Sequence, residues 1–325
     1  MPEKSLLIGD IGGTNARFAL AGTDVPAFSN VVTLQCKDFD GASNAIEHYV
    51  KSVDAGAPAA ICLAAAGPIV DKRVRFTNNH WEISEDELAA DFGIEAVRLL
   101  NDFEAVAYSV PFLTGDDCMP IGMPDPQSPG AEDYTVGIVG PGTGLGAVGL
   151  CRQGNQILPI VGEAGHSGFA PETKVQIDIL SALREHFDRV SSERLVSGPG
   201  LENIYWALTR IHAAKRTQLR AAEIFAAAVD NSDEIAAEAV QMFFEILGQV
   251  AGDLALTLGA ADGIYIAGGI VKRYPELLKN SGFRAAFESK GRHRSFMERV
   301  PTQLITRDKL GLLGAAYCAL QMSES

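Results

Sequence analysis

Two glycine-rich segments have the composition of phosphate-binding turns. Asp10-Ile11-Gly12-Gly13-Thr14 and Gly140-Pro141-Gly142-Thr143-Gly144-Leu145-Gly146 each place glycines and a threonine between two apolar runs. Because glycine permits positive φ, successive backbone N–H groups can converge on one anion, and a threonine hydroxyl adds a donor. Either turn alone is also typical of an ordinary hairpin. Their occurrence in two predicted domains favours phosphate binding.

Other phosphate and hydrolase motifs are absent or incomplete. The sequence contains no Gly-Lys-Ser/Thr of a P-loop, no Gly-x-Ser-x-Gly and no His-Glu-x-x-His. Residues 142–147 loosely match the dinucleotide fingerprint, but residues 148–154 predict a short strand and a turn where that fingerprint requires a helix. The pattern therefore disfavours a Rossmann oxidoreductase, a serine hydrolase and a zinc protease.

Several polar residues lie in apolar or glycine-rich surroundings. Asn101-Asp102 follows the apolar run Val97–Leu100, where Asp102 could cap the next helix or accept a proton from a substrate hydroxyl. Glu163 and His166 lie three residues apart in a glycine-rich segment without a nearby Cys or second His, which disfavours zinc. Carboxylates accept hydrogen bonds and imidazoles donate and accept them, so this pair suits the hydroxyls of a sugar. Glu193 could add an acceptor or be an exposed acid at a helix start.

A third glycine feature is Gly268-Gly269, which ends the apolar run Ile264–Ala267 just before a helical stretch. Such glycines allow the backbone to approach a flat ligand such as an adenine ring. They are equally typical of a plain turn between a strand and a helix.

The elements that must position these residues form a mixed α/β pattern. Strands are predicted at residues 5–11, 17–21, 59–66, 96–100, 134–139, 147–151 and 263–267. Helices are predicted around residues 46–53, 84–90, 233–258 and 310–320, with a mostly helical pattern from Thr173 onward interrupted by one strand. The proline-rich segment 111–133 predicts a linker or a long surface loop, and we place a domain boundary near Pro111. The hairpin around Gly140–Gly146 repeats the N-terminal one.

Length and composition limit the class of protein further. A length of 325 residues predicts about two domains, and an apolar fraction of 47% is consistent with a substantial core. A net charge of −14 argues against binding along an extended polyanion such as nucleic acid or an anionic membrane. Five widely spaced cysteines favour reduced thiols over a disulfide framework. The N-terminus lacks a signal-peptide pattern, so we expect a cytoplasmic protein.

Taken together, these segments resemble the bacterial ATP-dependent glucokinase family over essentially the whole chain. The motifs that carry the resemblance are Asp10-Ile11-Gly12-Gly13-Thr14-Asn15-Ala16-Arg17, Asn101-Asp102-Phe103, Gly140–Gly146, Glu163-Ala164-Gly165-His166, Ser192–Gly200 and Ile266–Val271. The resemblance implies an α/β, two-domain actin-like ATPase (ribonuclease H-like) fold with an active-site cleft between a small and a large domain. We expect the small domain to comprise residues 1–111 with the C-terminal helix, about 308–325, and the large domain residues 112–307.

The resemblance also implies a reaction and its residues. The expected reaction is transfer of the γ-phosphoryl group of ATP to the 6-hydroxyl of glucose, feeding glycolysis, with Mg²⁺ and in a homodimer. Asp102 resembles the catalytic base, and Asp10 the residue that organises Mg²⁺ through water. The expected glucose-binding residues are Asn78, Asn101, Asp102, Glu163, His166 and Glu193. The expected ATP-binding residues are Gly9, Asp10, Ile11, Gly12, Gly13, Thr14, Gly140, Gly142, Thr143, Gly144, Gly268 and Gly269.

Three alternatives remain at this stage. A kinase of the same fold could act on fructose, mannose or an N-acetylhexosamine, although the cysteine-rich segment typical of the repressor-and-sugar-kinase family is missing from residues 167–191. A sugar sensor that regulates DNA would need a helix-turn-helix, for which no room precedes the first strand. An Hsp70-like ATPase would not need the Glu163, His166 and Glu193 set. Ala164 replaces a glycine, and Pro141 a small residue, of the commonest family pattern.

Overall fold

The computed structural model describes residues 5–22, 26–76, 79–124 and 133–324, and all statements below concern those ranges. Its strands are β1 Ser5–Ile11, β2 Asn15–Ala21, β3 Phe28–Gln35, β4 Pro58–Ala65, β5 Ile69–Val70, β6 Arg73–Arg75, β7 Glu82–Ser84, β8 Val97–Asn101, β9 Cys118–Pro120, β10 Tyr134–Pro141, β11 Leu145–Gln153, β12 Gln156–Val161, β13 Ile264–Ile266 and β14 Thr302–Ile305. Its helices are α1 Ala42–Ser52, α2 Glu85–Phe92, α3 Asp102–Ser109, α4 Lys174–Leu183, α5 Gly198–Ile211, α6 Ala221–Val229, α7 Glu234–Leu258, α8 Gly269–Arg273, α9 Pro275–Lys279, α10 Phe283–Glu288, α11 Arg294–Met297 and α12 Leu310–Glu324.

The chain divides into two units. Unit 1 comprises Met1–Leu113 and Arg307–Ser325, and unit 2 comprises Thr114–Thr306. Each unit has its own main sheet and its own cluster of buried apolar side chains.

The main sheet of unit 1 has the strand order β3-β2-β1-β4-β8. Strands β1, β2 and β3 form an antiparallel meander, and β4 and β8 continue from β1 in parallel. The predicted N-terminal hairpin is confirmed, with Leu6 opposite Ala21 and Asp10 opposite Arg17. Helix α12 packs against β1, β4 and α3, so the C-terminal segment completes the core of this unit.

A capping residue sets the start of α2 as the sequence predicts. Ser84 has extended backbone geometry, and its Oγ accepts a hydrogen bond from the N–H of Glu87 at 3.4 Å. Gly93 ends the helix in the left-handed conformation that favours glycine. The chain then enters β8 and reaches Asn101 and Asp102.

The main sheet of unit 2 repeats this arrangement, with the order β12-β11-β10-β13-β14-β9. An antiparallel meander of β10, β11 and β12 is again followed by two parallel strands, β13 and β14. The predicted strands around the second glycine turn and at Ile264–Ile266 are confirmed. The same order of hairpin and parallel strands therefore presents a glycine turn in each unit.

Three strands of unit 2 were not predicted. β14 lies in a segment predicted to be helical; it is only four residues long, all buried, and is held between β13 and β9. β9 lies in the segment predicted to be a loop, and β12 went unrecognised at the outer edge of the sheet. Such short or edge strands depend on pairing with distant segments, which local patterns do not encode.

Helix α7 is the longest helix, and it alone among the described residues is long and apolar enough to cross a membrane by length and composition. Two thirds of its most apolar window is buried inside the protein, where it packs against α5, α6, α10 and β10. Its apolar character is that of a core helix. All five cysteines are free thiols, with Cys36, Cys62 and Cys318 buried.

Candidate active site

The first glycine turn lies in unit 1, between β1 and β2. Gly12 donates its N–H to the Asn15 carbonyl at 2.9 Å, and the Thr14 carbonyl accepts from the N–H of Cys36 at 2.9 Å. Thr14 is exposed, while Ile11 is buried in the core. Gly9 lies inside β1, where a Cβ would come within 2.7 Å of the Leu63 side chain. Packing alone thus requires glycine at position 9, whereas a Cβ at Gly12 would meet only the Asn15 carbonyl, at 3.8 Å.

Asp10 lies on β1 opposite Arg17 on β2, and Arg17 Nη1 is 3.2 Å from Asp10 Oδ2. Burial raises the pKa of the Asp10 carboxyl, and the charge and hydrogen bond of Arg17 partly oppose that rise. Gly311 near the start of α12 packs on this carboxylate, because a Cβ there would lie 3.1 Å from Asp10 Cγ. Sequence reasoning did not assign Arg17 a role, although its position opposite Asp10 follows from the hairpin register.

The junction of β8 and α3 holds the candidate base. Asn101 is the N-cap of α3, and its Oδ1 accepts from the N–H of Phe103 at 2.9 Å while its Nδ2 donates to the Gly67 carbonyl at 3.1 Å. Asp102 is half-buried, and its Oδ1 accepts from the same Phe103 N–H at 2.9 Å. The capping role is therefore filled by Asn101, one residue earlier than the sequence analysis considered.

Asn78 lies outside the described residues. Its neighbour Asn79 donates from Nδ2 to the Gly12 carbonyl at 3.4 Å and accepts from the N–H of Trp81 at 3.1 Å. The chain just after Asn78 is thus fastened to the first glycine turn.

The second glycine turn lies in unit 2, where Gly142, Thr143 and Gly144 connect β10 to β11. Gly140 pairs with Gly146 inside the hairpin, so the turn itself is shorter than predicted. Gly142 donates its N–H to the Gly144 carbonyl at 2.8 Å, and its carbonyl accepts from the N–H of Gly198 at 2.9 Å. The turn is therefore held at the N-terminus of α5.

The three predicted sugar-binding side chains of unit 2 come together. His166 Nε2 is 3.9 Å from Glu163 Oε2, and His166 Nδ1 is 3.9 Å from Glu193 Oε1. Glu193 Oε2 accepts a hydrogen bond from the N–H of Leu145 at 3.0 Å. Glu163 and His166 are exposed, and Glu193 is half-buried. These spacings leave hydrogen-bonding capacity for a polyol, and Glu193 links that capacity to the second glycine turn.

Backbone contacts hold the two loops that carry these side chains. Ser192 donates its N–H to the Ser167 carbonyl at 2.9 Å, and Phe169 donates to the Val190 carbonyl at 3.1 Å. Gly165 lies so close to the Leu145 carbonyl that a Cβ would collide with it. Ala164, which departs from the family pattern, is exposed, and its methyl group has room.

A cavity of about 420 Å³ in unit 2 adjoins the second glycine turn. It is bordered by Gly142 and Thr143 at one side and by Gly269 at the start of α8. Gly268 has φ +104°, and a Cβ there would collide with the Pro141 carbonyl. Gly268 is therefore required for the close approach of this backbone to β10. Gly142 and Gly269 border the cavity, and a Cβ at either would meet nothing within 4 Å.

Sequence reasoning missed the aromatic part of this cavity. Phe225 on α6 and Tyr274 after α8 stack with their ring centroids 4.2 Å apart and their planes at 14°, and Glu202 lies beside them. Residue types could not reveal that α6 and the segment between α8 and α9, which are distant in sequence, meet there. The cavity is large enough for a nucleoside, and its glycine edge suits a phosphate tail.

Comparison with known proteins points to one family over nearly the whole chain. The family model for glucokinase matches residues 7–322. A glucokinase of Nitrobacter hamburgensis is 40% identical over 316 residues, covering 97% of each chain. The crystal structure of a glucokinase from an Antarctic psychrotroph has a TM-score of 0.89 at 34% identity, covering 99% of this chain and 100% of that one. A glucokinase of Balamuthia mandrillaris in complex with glucose shares the fold, with a TM-score of 0.76 at 24% identity over 97% and 93% of the two chains.

Each unit contains a sheet with the same order of hairpin and parallel strands, and each sheet presents a glycine turn. This arrangement defines an actin-like ATPase fold of the kind found in sugar kinases. Within that class, the match to the glucokinase family model extends over nearly the whole chain. The chain belongs to the glucokinase family.

Proposed function

We propose that the chain transfers the γ-phosphoryl group of ATP to the 6-hydroxyl of D-glucose, forming glucose 6-phosphate for glycolysis. The observation that carries this proposal is the set of Glu163, His166 and Glu193, tied through Leu145 to a glycine turn that borders a nucleoside-sized cavity. A sugar-hydroxyl site and a phosphate turn joined by one carboxylate suit phosphoryl transfer to a sugar.

Each proposed residue has a distinct task. Asp102 positions the 6-hydroxyl and accepts its proton as the new phosphate ester forms. Asn101, Glu163, His166 and Glu193, with Asn78, orient the other hydroxyls. Because phosphoryl transfer requires mainly alignment and charge neutralisation, this orientation accounts for much of the rate enhancement. The proposal needs both units, since Asp102 lies in unit 1 and three of the sugar-binding side chains lie in unit 2.

The nucleotide is proposed to use the two glycine turns and the cavity. Backbone N–H groups around Gly12, Gly13 and Thr14, and around Gly142, Thr143 and Gly144, would contact phosphates. The segment Gly268-Gly269 would flank the adenosine. Convergent backbone dipoles neutralise a compact anion locally, even in a protein with a net charge of −14.

Asp10 is suited to organise Mg²⁺ that arrives with the nucleotide. The described residues contain no group of three or more His, Cys, Asp or Glu side chains that could hold a metal by themselves. Asp10 offers one carboxylate that is 26% exposed beside a phosphate turn. Mg²⁺ is commonly bound by one or two carboxylates, water and substrate phosphates, so this donor fits. When bound, the ion would neutralise charge on the phosphates.

The role of Asp102 is tested with Asp102→Asn, which keeps the size of the side chain and removes its basicity. We expect kcat to fall by roughly two to four orders of magnitude, while glucose still binds in isothermal titration calorimetry. A kcat near that of the unchanged protein would exclude Asp102 as the base.

We further propose that the protein works in the cytoplasm as a homodimer, in line with the family resemblance and without a role for nucleic acid or membranes. Light scattering coupled to size-exclusion chromatography would give the mass directly, against 34.5 kDa for one chain. A single-chain mass at assay concentrations would rule out the dimer.

A further inference from the structure

The carboxylate of Glu104 connects the strand and the helix that meet at the proposed catalytic residues. Glu104 is the third residue of α3, and its Oε2 accepts a hydrogen bond from the N–H of Asn101 at 3.4 Å. Asn101 returns the contact, since its Oδ1 accepts from the N–H of Glu104 at 3.4 Å. We propose that Glu104 is a positioning residue, which holds Asn101 and Asp102 in the orientation required for phosphoryl transfer.

The second oxygen of this carboxylate is fixed to the preceding strand. Arg98 on β8 donates from Nη2 to Glu104 Oε1 at 3.2 Å. The side chain of Glu104 is only 15% exposed and that of Arg98 is 44% exposed, so the carboxylate end of this ion pair is partly shielded from water. Glu104 therefore contacts both the main-chain N–H of Asn101 and the side chain of Arg98, across the bend between β8 and α3.

Fixing residue 101 also constrains residue 102. The side chain of Asn101 is held by the Gly67 carbonyl and the Phe103 N–H. The main-chain N–H of Asn101 is held by the carboxylate of Glu104. Without Glu104, that N–H and Arg98 both lose this acceptor, and the backbone before Asp102 loses one of the contacts that fix its orientation. A displacement of about 1 Å at a reacting group can cost on the order of 100-fold in rate.

Glu85 provides a matched control, because it contacts the same strand, β8. It is the first residue of α2, and its Oε1 accepts from the N–H of Leu99 at 2.8 Å. Glu85 and Glu104 thus both bind main-chain N–H groups of β8 through a carboxylate, but only Glu104 does so next to Asp102. A general loosening of β8 would follow from either substitution.

The experiment compares Glu104→Ala, Glu104→Gln and Glu85→Ala in kcat, glucose KM, glucose affinity by calorimetry and melting temperature. For Glu104→Ala we expect kcat to fall roughly 10- to 100-fold with glucose affinity changed less than about threefold. Glu104→Gln should recover most of the lost kcat, because its amide oxygen can still accept from the Asn101 N–H. Glu85→Ala should lower the melting temperature and keep kcat within about twofold.

Two results would overturn the inference: a wild-type kcat in folded Glu104→Ala, or equal losses of kcat in all three variants. Because the inference rests on the proposed function, Asp102→Asn is measured in parallel. If Asp102→Asn loses activity and Glu104→Ala does not, only the positioning role fails. If both keep full activity, the assignment of Asp102 fails as well.

Discussion

Glu193 links the proposed sugar site to the proposed phosphate turn, and removing its carboxylate tests that link. In Glu193→Ala the N–H of Leu145 loses an acceptor at 3.0 Å. His166 has two carboxylate contacts at 3.9 Å, and it loses the one to Glu193, which is less exposed than Glu163. A hydrogen bond to a charged group contributes about 1.5–3 kcal/mol. At about 1.4 kcal/mol per tenfold, the loss predicts an increase in glucose KM of roughly 10- to 150-fold.

The glutamine variant separates charge from geometry. Glu193→Gln keeps one oxygen that can accept from Leu145, so the turn should remain in place while the charge is lost. We expect its glucose KM to lie between those of wild type and Glu193→Ala, roughly tenfold above wild type. Gly144→Ala should resemble Glu193→Ala, because a Cβ at Gly144 would come within 2.5 Å of Glu193 Oε2.

The assay couples ADP release to a reporter enzyme over a range of glucose and ATP concentrations. Glu185→Gln is the control, since Glu185 is an exposed carboxylate of unit 2 that pairs with Arg210 at 2.9 Å. It should leave both KM values unchanged. A glucose KM within twofold of wild type in folded Glu193→Ala would refute the reasoning, as would an effect confined to the KM for ATP.

Three further predictions concern unit 2. Gly268→Ala should lower ATP affinity at least roughly tenfold, since φ +104° and the adjacent Pro141 carbonyl exclude a Cβ; unchanged binding of a non-hydrolysable ATP analogue in calorimetry would contradict the nucleotide assignment. Ser197→Ala should cost about 1 kcal/mol and raise the ATP KM, because the buried Ser197 Oγ caps α5 beside the cavity by accepting from the N–H of Gly200 at 3.0 Å; a wild-type melting curve would exclude the cap. Burial acts to raise the pKa of Asp233, but hydrogen bonds from Tyr205 and from the start of α7 outweigh it and lower that pKa. The pKa of an aspartate in the unfolded protein is about 4. When the pKa in the folded protein is lower, the carboxylate stabilises the fold at pH values above the unfolded pKa, and this stabilisation is lost as the pH falls through the folded pKa. The melting temperature of Asp233→Asn should therefore lie below that of wild type at pH 7 and approach it below about pH 4, and a pH-independent difference would disprove the linkage.

The sequence was most informative where residue types specify the local structure directly. The first hairpin, the capped helix after Ser84 and the hairpin around Gly142 are short-range structures, in which glycines, a capping serine and apolar runs specify the backbone directly. The motifs at Asn101-Asp102 and at Glu163 and His166 stand out in the sequence because polar residues are unusual in their surroundings. The structure brings Glu163, His166 and Glu193 together.

The sequence was least informative where distant segments meet. β14 is buried by its neighbours in the sheet, and its four residues carry no pattern of their own. The stacking of Phe225 on Tyr274 joins α6 to the residue between α8 and α9, which lies far away in the sequence. The acceptor role of Glu193 toward Leu145 likewise depends on a loop returning to the second hairpin, 48 residues away.

The most direct test of the account is the ATP-dependent phosphorylation of a panel of hexoses in the presence of Mg²⁺. We predict that glucose has the highest kcat/KM among glucose, mannose, fructose and the N-acetylhexosamines, and that phosphorus NMR identifies the product as glucose 6-phosphate. A higher kcat/KM for another hexose, or ATP hydrolysis that does not depend on any sugar, would contradict the account.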